Sequence, residues 1–148
     1  MASTSKLFTA KIILSVVAVF TIVAPVLADW NASHIYNPLW PPHAKFHNAQ
    51  TMVLGVLLGL ATLYFTWQRD ASDRSALLTA LLFAALYWIS QTLAFLFPGV
   101  AWTDPNLLGP GQSLEDFPGQ IKIDLVVFAI LIVTAWLIAG ATPKRMQR

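Results

Sequence analysis

The sequence predicts an all-α fold, an integral membrane four-helix bundle forming a single domain over residues 1–148. Three observations predict it. The chain is 57% hydrophobic and 11% charged, with a mean hydropathy of +0.64. A soluble domain carries about 25% charged residues, so lipid rather than water is the natural solvent. Its apolar residues gather in four runs long enough to cross a bilayer, which takes about 20 residues. Most of the prolines and polar residues fall between those runs, and backbone groups inside hydrocarbon must be satisfied locally, which makes each run a helix.

The first run, "LFTAKIILSVVAVFTIVAPVLA", covers residues 7–28. It has a competing reading as a signal peptide, with Lys6 and Lys11 as the basic region and "VLA" before Asp29 as a cleavage site. A retained helix is favoured, because the run is long for a signal sequence and three helices make a thin bundle. The second helix is expected over 42–67, since proline suits a first helical turn and Pro41-Pro42 precedes the apolar run. The third is expected over 75–97, joined to the second by the tight polar turn "QRDASDR". The fourth is expected over 123–141. The outer loops are then 29–41 and 98–122. The second of these is long, irregular and rich in proline, as binding loops and lids often are.

Orientation follows from the basic residues. A cytosolic N-terminus puts Lys6, Lys11, Arg69, Arg74, Lys144, Arg145 and Arg148 on the cytosolic side, leaving Lys45 and Lys122 on the other. Both termini are therefore expected in the cytosol, with the loops facing the lumen of the endoplasmic reticulum in a eukaryote or the periplasm from a bacterial inner membrane. Asp29, Asp104, Glu115, Asp116 and Asp124 fall on that outer side, whereas Asp70 and Asp73 are cytosolic. Trp30, Trp40 and Trp102 suit the headgroup layer.

The absence of cysteine excludes disulfides, thiolate chemistry and cysteine-held metal centres. A net charge of +2 with scattered basic residues excludes nucleic acid as a partner. The expected partners are the lipid bilayer and a lipophilic small molecule, with a homo-oligomer left open and no cofactor expected.

One stretch gathers the polar chemistry. "WNASHIYNPLWPPHAKFH", residues 30–47, holds all three histidines of the chain. With the second helix starting near Pro42, His43 and His47 lie at i and i+4 on one face, which Gln50 and Thr51 continue. That polar stripe is expected to turn inward. Tyr87, Trp88 and Gln91 lie near the same depth on the third helix, and Asp124 opens the fourth. An ionisable group at such depth is a functional candidate. His43 and His47 are therefore expected to act as acid or base, with Asp124, Glu115 or Asp116 orienting or charge-balancing them. Gln50, Tyr87, Trp88, Gln91, His34 and Trp40 would bind substrate beneath the long loop. Plainer roles compete: histidines bonded to loop backbone, Asp124 as an acid favoured by the helix dipole, Gln91 bonded to another helix, tryptophans as interfacial anchors. The H-x-x-x-H spacing also fits a metal pair, but a third ligand would have to be His34 or an acid, so protons are favoured over metal. Asn31-Ala32-Ser33 matches a glycosylation sequon close to the first helix, and Tyr36-Asn37-Pro38 is a turn signal.

The stretch from Trp30 to His47 resembles that of a family of small four-helix membrane proteins of fungi and bacteria, marked by W-N-x-x-H-x-x-N-P-x-W-P-P-H-A-x-F-H. The resemblance implies the fold and carries no activity with it. In architecture alone the chain is also similar to sterol-isomerase-like bundles, which place acids and histidine in a membrane cavity.

The function expected from these residues is acid–base chemistry on a lipophilic small molecule at the outer mouth of the bundle: isomerisation, cyclisation or hydrolytic ring opening. The alternative is a non-catalytic lipid-binding, ligand-binding or assembly subunit. A transporter has little support without an internal repeat.

Overall fold

The computed structural model describes residues 2–68 and 74–141. These contain four long helices and no strand: α1 (Ala2–Asp29), α2 (Pro42–Trp67), α3 (Arg74–Ala94) and α4 (Gly119–Ala139), with a short 3₁₀ turn at Pro105–Leu107. Each long helix is long and apolar enough to cross a membrane. The chain runs up and down, so the 30–41 and 95–118 connections share one end of the bundle. The 69–73 turn and residues 142–148, with the basic and acidic residues read there, lie outside the described residues.

The helix boundaries differ from the expected ones by three residues or more in three places. α1 reaches back to Ala2. α3 stops at Ala94 rather than Phe97, because Pro98 disfavours helical geometry before it; residues 95–97 close instead as tight turns onto Thr92, Leu93 and Ala94. α4 starts earlier, at Gly119 just after Pro118, so Asp124 lies more than a turn inside it.

Buried residues recur at alternating spacings of three and four. On α2 they are Met52, Gly55, Gly59, Thr62 and Thr66, and on α4 Asp124, Val127, Leu131, Thr134 and Ile138. This is the spacing of a helix seam in a bundle. In lipid such seams are held by close packing rather than by exclusion of water, so small residues matter. Ala76, Ala80 and Ala84 form one such strip on α3. α1 packs against all three other helices and supplies Leu7, Ala10, Leu14 and Val17 to the core.

The closest approach is between α1 and α2. A Cβ on Gly59 would lie 2.7 Å from the Ala18 carbonyl oxygen and 2.4 Å from Ile22 Cγ1, and one on Gly55 would lie 2.9 Å from the Thr21 carbonyl oxygen. Pro25 lacks the N–H that would otherwise bond the Thr21 carbonyl, so the seat of Gly55 is a break in the α1 ladder. The Thr21, Thr62, Thr66 and Thr134 hydroxyls each donate to the carbonyl four residues earlier, so none is left bare in the core.

At the end opposite the loops, Lys11 is buried with its ammonium 5.1 Å from the Trp67 ring, and Lys6 lies 5.4 Å from the Trp136 ring. Cation–π contact offsets part of the cost of holding these charges near apolar surface.

Candidate active site

The loop after α1 is built by its asparagines. Asn31 Nδ2 donates to the Ala28 carbonyl, and its Oδ1 accepts from both Ser33 N and Ser33 Oγ. Asn37 is buried; it donates to the Ser33 carbonyl and accepts from Leu39 N. Such side-chain turns let a loop fold tightly without strand or helix. Trp40 Nε1 donates to Asp104 Oδ2 at 2.7 Å and ties this loop to the 95–118 connection.

These bonds fix the protons on His34. The backbone N–H of Ser33 identifies Asn31 Oδ1 as an acceptor, so the Ser33 hydroxyl spends its one proton there, at 2.6 Å. Ser33 Oγ can then only accept from His34 Nδ1, 2.7 Å away. Neutral His34 therefore carries its proton on Nδ1 and presents a bare Nε2. That nitrogen faces Asp29 Oδ1 at 3.8 Å, an ion pair when the ring is protonated. Asn48 Nδ2 holds the other carboxylate oxygen of Asp29 at 2.7 Å, and the Trp40 ring meets the imidazole edge-on at 5.1 Å.

His34 and Asp29 face a cavity of about 300 Å³ between α1, α3 and α4, whose other walls include Phe20, Pro25, Tyr87, Trp88, Gln91, Gln120 and Ile123. No described residue hydrogen-bonds the Tyr87 hydroxyl. Trp88 is buried, stacks on Phe20 at 5.3 Å and donates to Thr21 Oγ1, which locks α3 to α1. Gln91 Nε2 donates to Asp124 Oδ1 at 3.0 Å, and Thr92 Oγ1 donates to Asp124 Oδ2 at 2.6 Å. Gln120 Nε2 donates to the Trp102 carbonyl, while its Oε1 has no hydrogen-bond partner among the described residues.

Beside the cavity, and sharing Phe20 and Ile123 as walls, lies an apolar furrow of about 480 Å³ between α1 and α4, lined by Val16, Val126 and Ile130, with Lys122 at its rim. A second apolar depression of about 500 Å³ prolongs it to Ile12 and Val133. A polar chamber at the loop-bearing end thus borders an apolar furrow on the side of the bundle.

The structure brings together Tyr87, Trp88, Gln91 and His34 of the residues singled out from sequence, with Trp40 behind His34. It separates the others. His43 and His47 do pair, with Nε2 atoms 3.0 Å apart, and His47 Nδ1 lies 3.2 Å from Gln50 Oε1. But His43, His47 and Gln50 are exposed along α2 and do not line the cavity, so the inward stripe is corrected to an outward one. The sequence stripe was ambiguous because a pair at i and i+4 fixes a shared face, not its direction. Asp124 is fully buried and touches no histidine; it anchors Gln91 and Thr92, and it is not a first-turn acid. Glu115 and Asp116 are exposed, and Ser113 between the loop turns engages them locally: its N–H donates to Asp116 Oδ2, and its Oγ accepts from Glu115 N. Neither lines the cavity, whose loop wall is the 30–41 segment rather than the longer one. Among the described residues no three His, Asp or Glu side chains cluster as metal ligands.

Asp29, Asn48, Thr92 and Gln120 were not singled out from sequence. Asp29 carried a signal: an acid closing a helix opposes the macrodipole and needs another reason to be there.

The fold and the site together define a small four-helix integral membrane protein with a polar chamber at one end. Residues 13–133 match the model of a family of unknown function (DUF6640), and the chain belongs to that family. No curated protein and no solved structure matches it.

Proposed function

We propose that the protein is a membrane-embedded enzyme doing acid–base chemistry on a lipophilic small molecule at the outer mouth of the bundle, by isomerisation, cyclisation or hydrolytic ring opening. The observation that carries this reading is the pairing of His34 Nε2 with Asp29 in the wall of the chamber that borders the α1–α4 furrow. The furrow offers the apolar part of an amphiphile a path from the bilayer, and the chamber receives its polar end. The Tyr87 hydroxyl can donate to an oxygen of the ligand, and the carboxamide oxygen of Gln91, whose nitrogen is held by Asp124, can accept from a ligand hydroxyl. His34 Nε2 accepts a proton from the bound molecule and returns it, while Asp29 stabilises the imidazolium in between. An isomerisation run this way needs no second reactant. The excess of Lys and Arg toward the opposite end supports a lumenal or periplasmic face for the chamber.

The alternative is a lipid- or ligand-binding subunit without chemistry. The exposure of His43 and His47 favours it, since two of the three histidines then lie outside the chamber.

Untargeted lipid and metabolite comparison of a deletion strain with its complemented counterparts tests the proposal. At matched membrane abundance, His34→Gln is expected to lose on the order of 10²-fold or more in turnover, and Asp29→Asn to lose activity as well. His43→Gln and His47→Gln are expected to complement fully. Full rescue by His34→Gln would remove the acid–base mechanism and leave the binding reading.

A further inference from the structure

We infer that His43 and His47 form a bidentate site for a divalent transition-metal ion, held on the exposed face of α2 and oriented by Gln50. It is independent of the His34 chamber. The Nε2 atoms are 3.0 Å apart. Two nitrogens bound to one ion at about 2.05 Å lie about 2.9 Å apart at a right angle and about 3.3 Å apart at the tetrahedral angle. The observed spacing falls between the two, so one ion can take both nitrogens with only small movements of the rings.

His47 is prepared as a ligand. Gln50 Oε1 can only accept, so at 3.2 Å from His47 Nδ1 it takes that nitrogen's proton in a hydrogen bond and leaves Nε2 bare. A metal-bound histidine characteristically donates its other ring N–H to an oxygen in this way. The proton between the two Nε2 atoms then belongs to His43, which donates it to His47 in the metal-free pair. An incoming ion displaces that proton, and His43 shifts tautomer to carry its one proton on Nδ1, so no net proton is released when both rings start neutral. Both rings are exposed, so they can turn about their side-chain bonds to aim at one ion, and water can complete its coordination. Imidazole donors without thiolate or carboxylate select borderline ions over Mg²⁺ and Ca²⁺, and Cu²⁺ should bind tightest.

The test uses the full chain, purified without a polyhistidine tag, reconstituted in nanodiscs and stripped with chelator. Titration with CuCl₂, NiCl₂ and ZnCl₂ is followed by calorimetry, and the Cu²⁺ form by electron paramagnetic resonance. The wild type is expected to bind one Cu²⁺ with two imidazole nitrogens in the spectrum. Loss of an outer-shell partner costs roughly 10–100-fold in affinity, so Gln50→Leu is expected in that range and His43→Gln or His47→Gln beyond it. His34→Gln is expected to bind as the wild type does. One imidazole nitrogen or none in the wild-type spectrum overturns the site, and so does unchanged affinity in the His43→Gln, His47→Gln double variant. The nitrogen count stands even if a variant fails to fold.

Discussion

Asp29 and Asp124 are both carboxylates at the loop-bearing end, yet their surroundings give them different work. Asp29 closes α1 with one oxygen on Asn48 and the other toward His34, at the wall of the chamber. Asp124 has no exposed surface, and both its oxygens are taken by α3 side chains. It holds Gln91 and does not line the chamber. Asp124→Asn keeps an acceptor of the same shape and is expected to retain complementing activity within a few-fold. Asp124→Leu leaves the Gln91 N–H and the Thr92 hydroxyl without their partner, and a buried orphaned polar group costs about 1–3 kcal/mol. Its melting in detergent should fall well below that of Asp124→Asn. If Asp124→Asn instead abolished activity while melting like the wild type, Asp124 would have a chemical role that its burial does not provide.

At the scale of elements, the α1–α2 seam meets the chamber wall at Pro25. Pro25 lines the chamber and also touches the place where Gly55 fits, so the same break in α1 serves both. Gly55-x-x-x-Gly59 presents a flat surface to Thr21 and Ala18, and any side chain there must displace backbone, since the Ala18 oxygen is only 2.7 Å from a Cβ on Gly59. Overpacking of this kind typically costs 1–3 kcal/mol. Gly59→Leu is therefore expected to lower the midpoint of unfolding in mixed micelles, and Leu60→Ala, on the exposed side of the same helix, to leave it nearly unchanged. Equal effects would show that the seam is not tight. This seam was legible in the sequence as two glycines four apart in an apolar run, although composition and run length, which sufficed to find the helices, do not point to it. The chamber was half legible. Tyr87, Trp88 and Gln91 follow from depth along α3, since a helix places residues predictably. His34 and Asp29 meet through a loop whose path depends on Asn31, Ser33 and Asn37 turns, and no periodicity encodes such a path. The expected convergence on His43 and His47 failed because a polar stripe at the first turns of a helix can face water at the membrane surface as well as a cavity.

For the whole molecule, the remaining question is which end faces the cytosol. The helix order places α1's start and α4's end together, opposite the chamber. Among the described residues that end holds Lys6, Lys11 and Arg74, with Lys45 and Lys122 at the other. Lys6 and Lys11 are held by Trp136 and Trp67, aromatic rings suited to the interface. The acids Asp29, Asp104, Glu115 and Asp116 sit at the chamber end, but acids contribute little to orientation, so the basic residues decide. The expected orientation therefore has the chamber facing away from the cytosol. The chain has no cysteine, so single cysteines can be placed without background. Glu115→Cys lies on the exposed long loop and Ser75→Cys on the exposed first turn of α3. In sealed vesicles of known sidedness, a membrane-impermeant maleimide is expected to label Glu115→Cys only from the lumenal or periplasmic side and Ser75→Cys only from the cytosolic side. The reverse pattern would keep the fold and turn the chamber toward the cytosol, where its ligand would have to be drawn from the other leaflet. Labelling of both positions from one side would contradict the four-span topology itself, because the two residues are separated by α3.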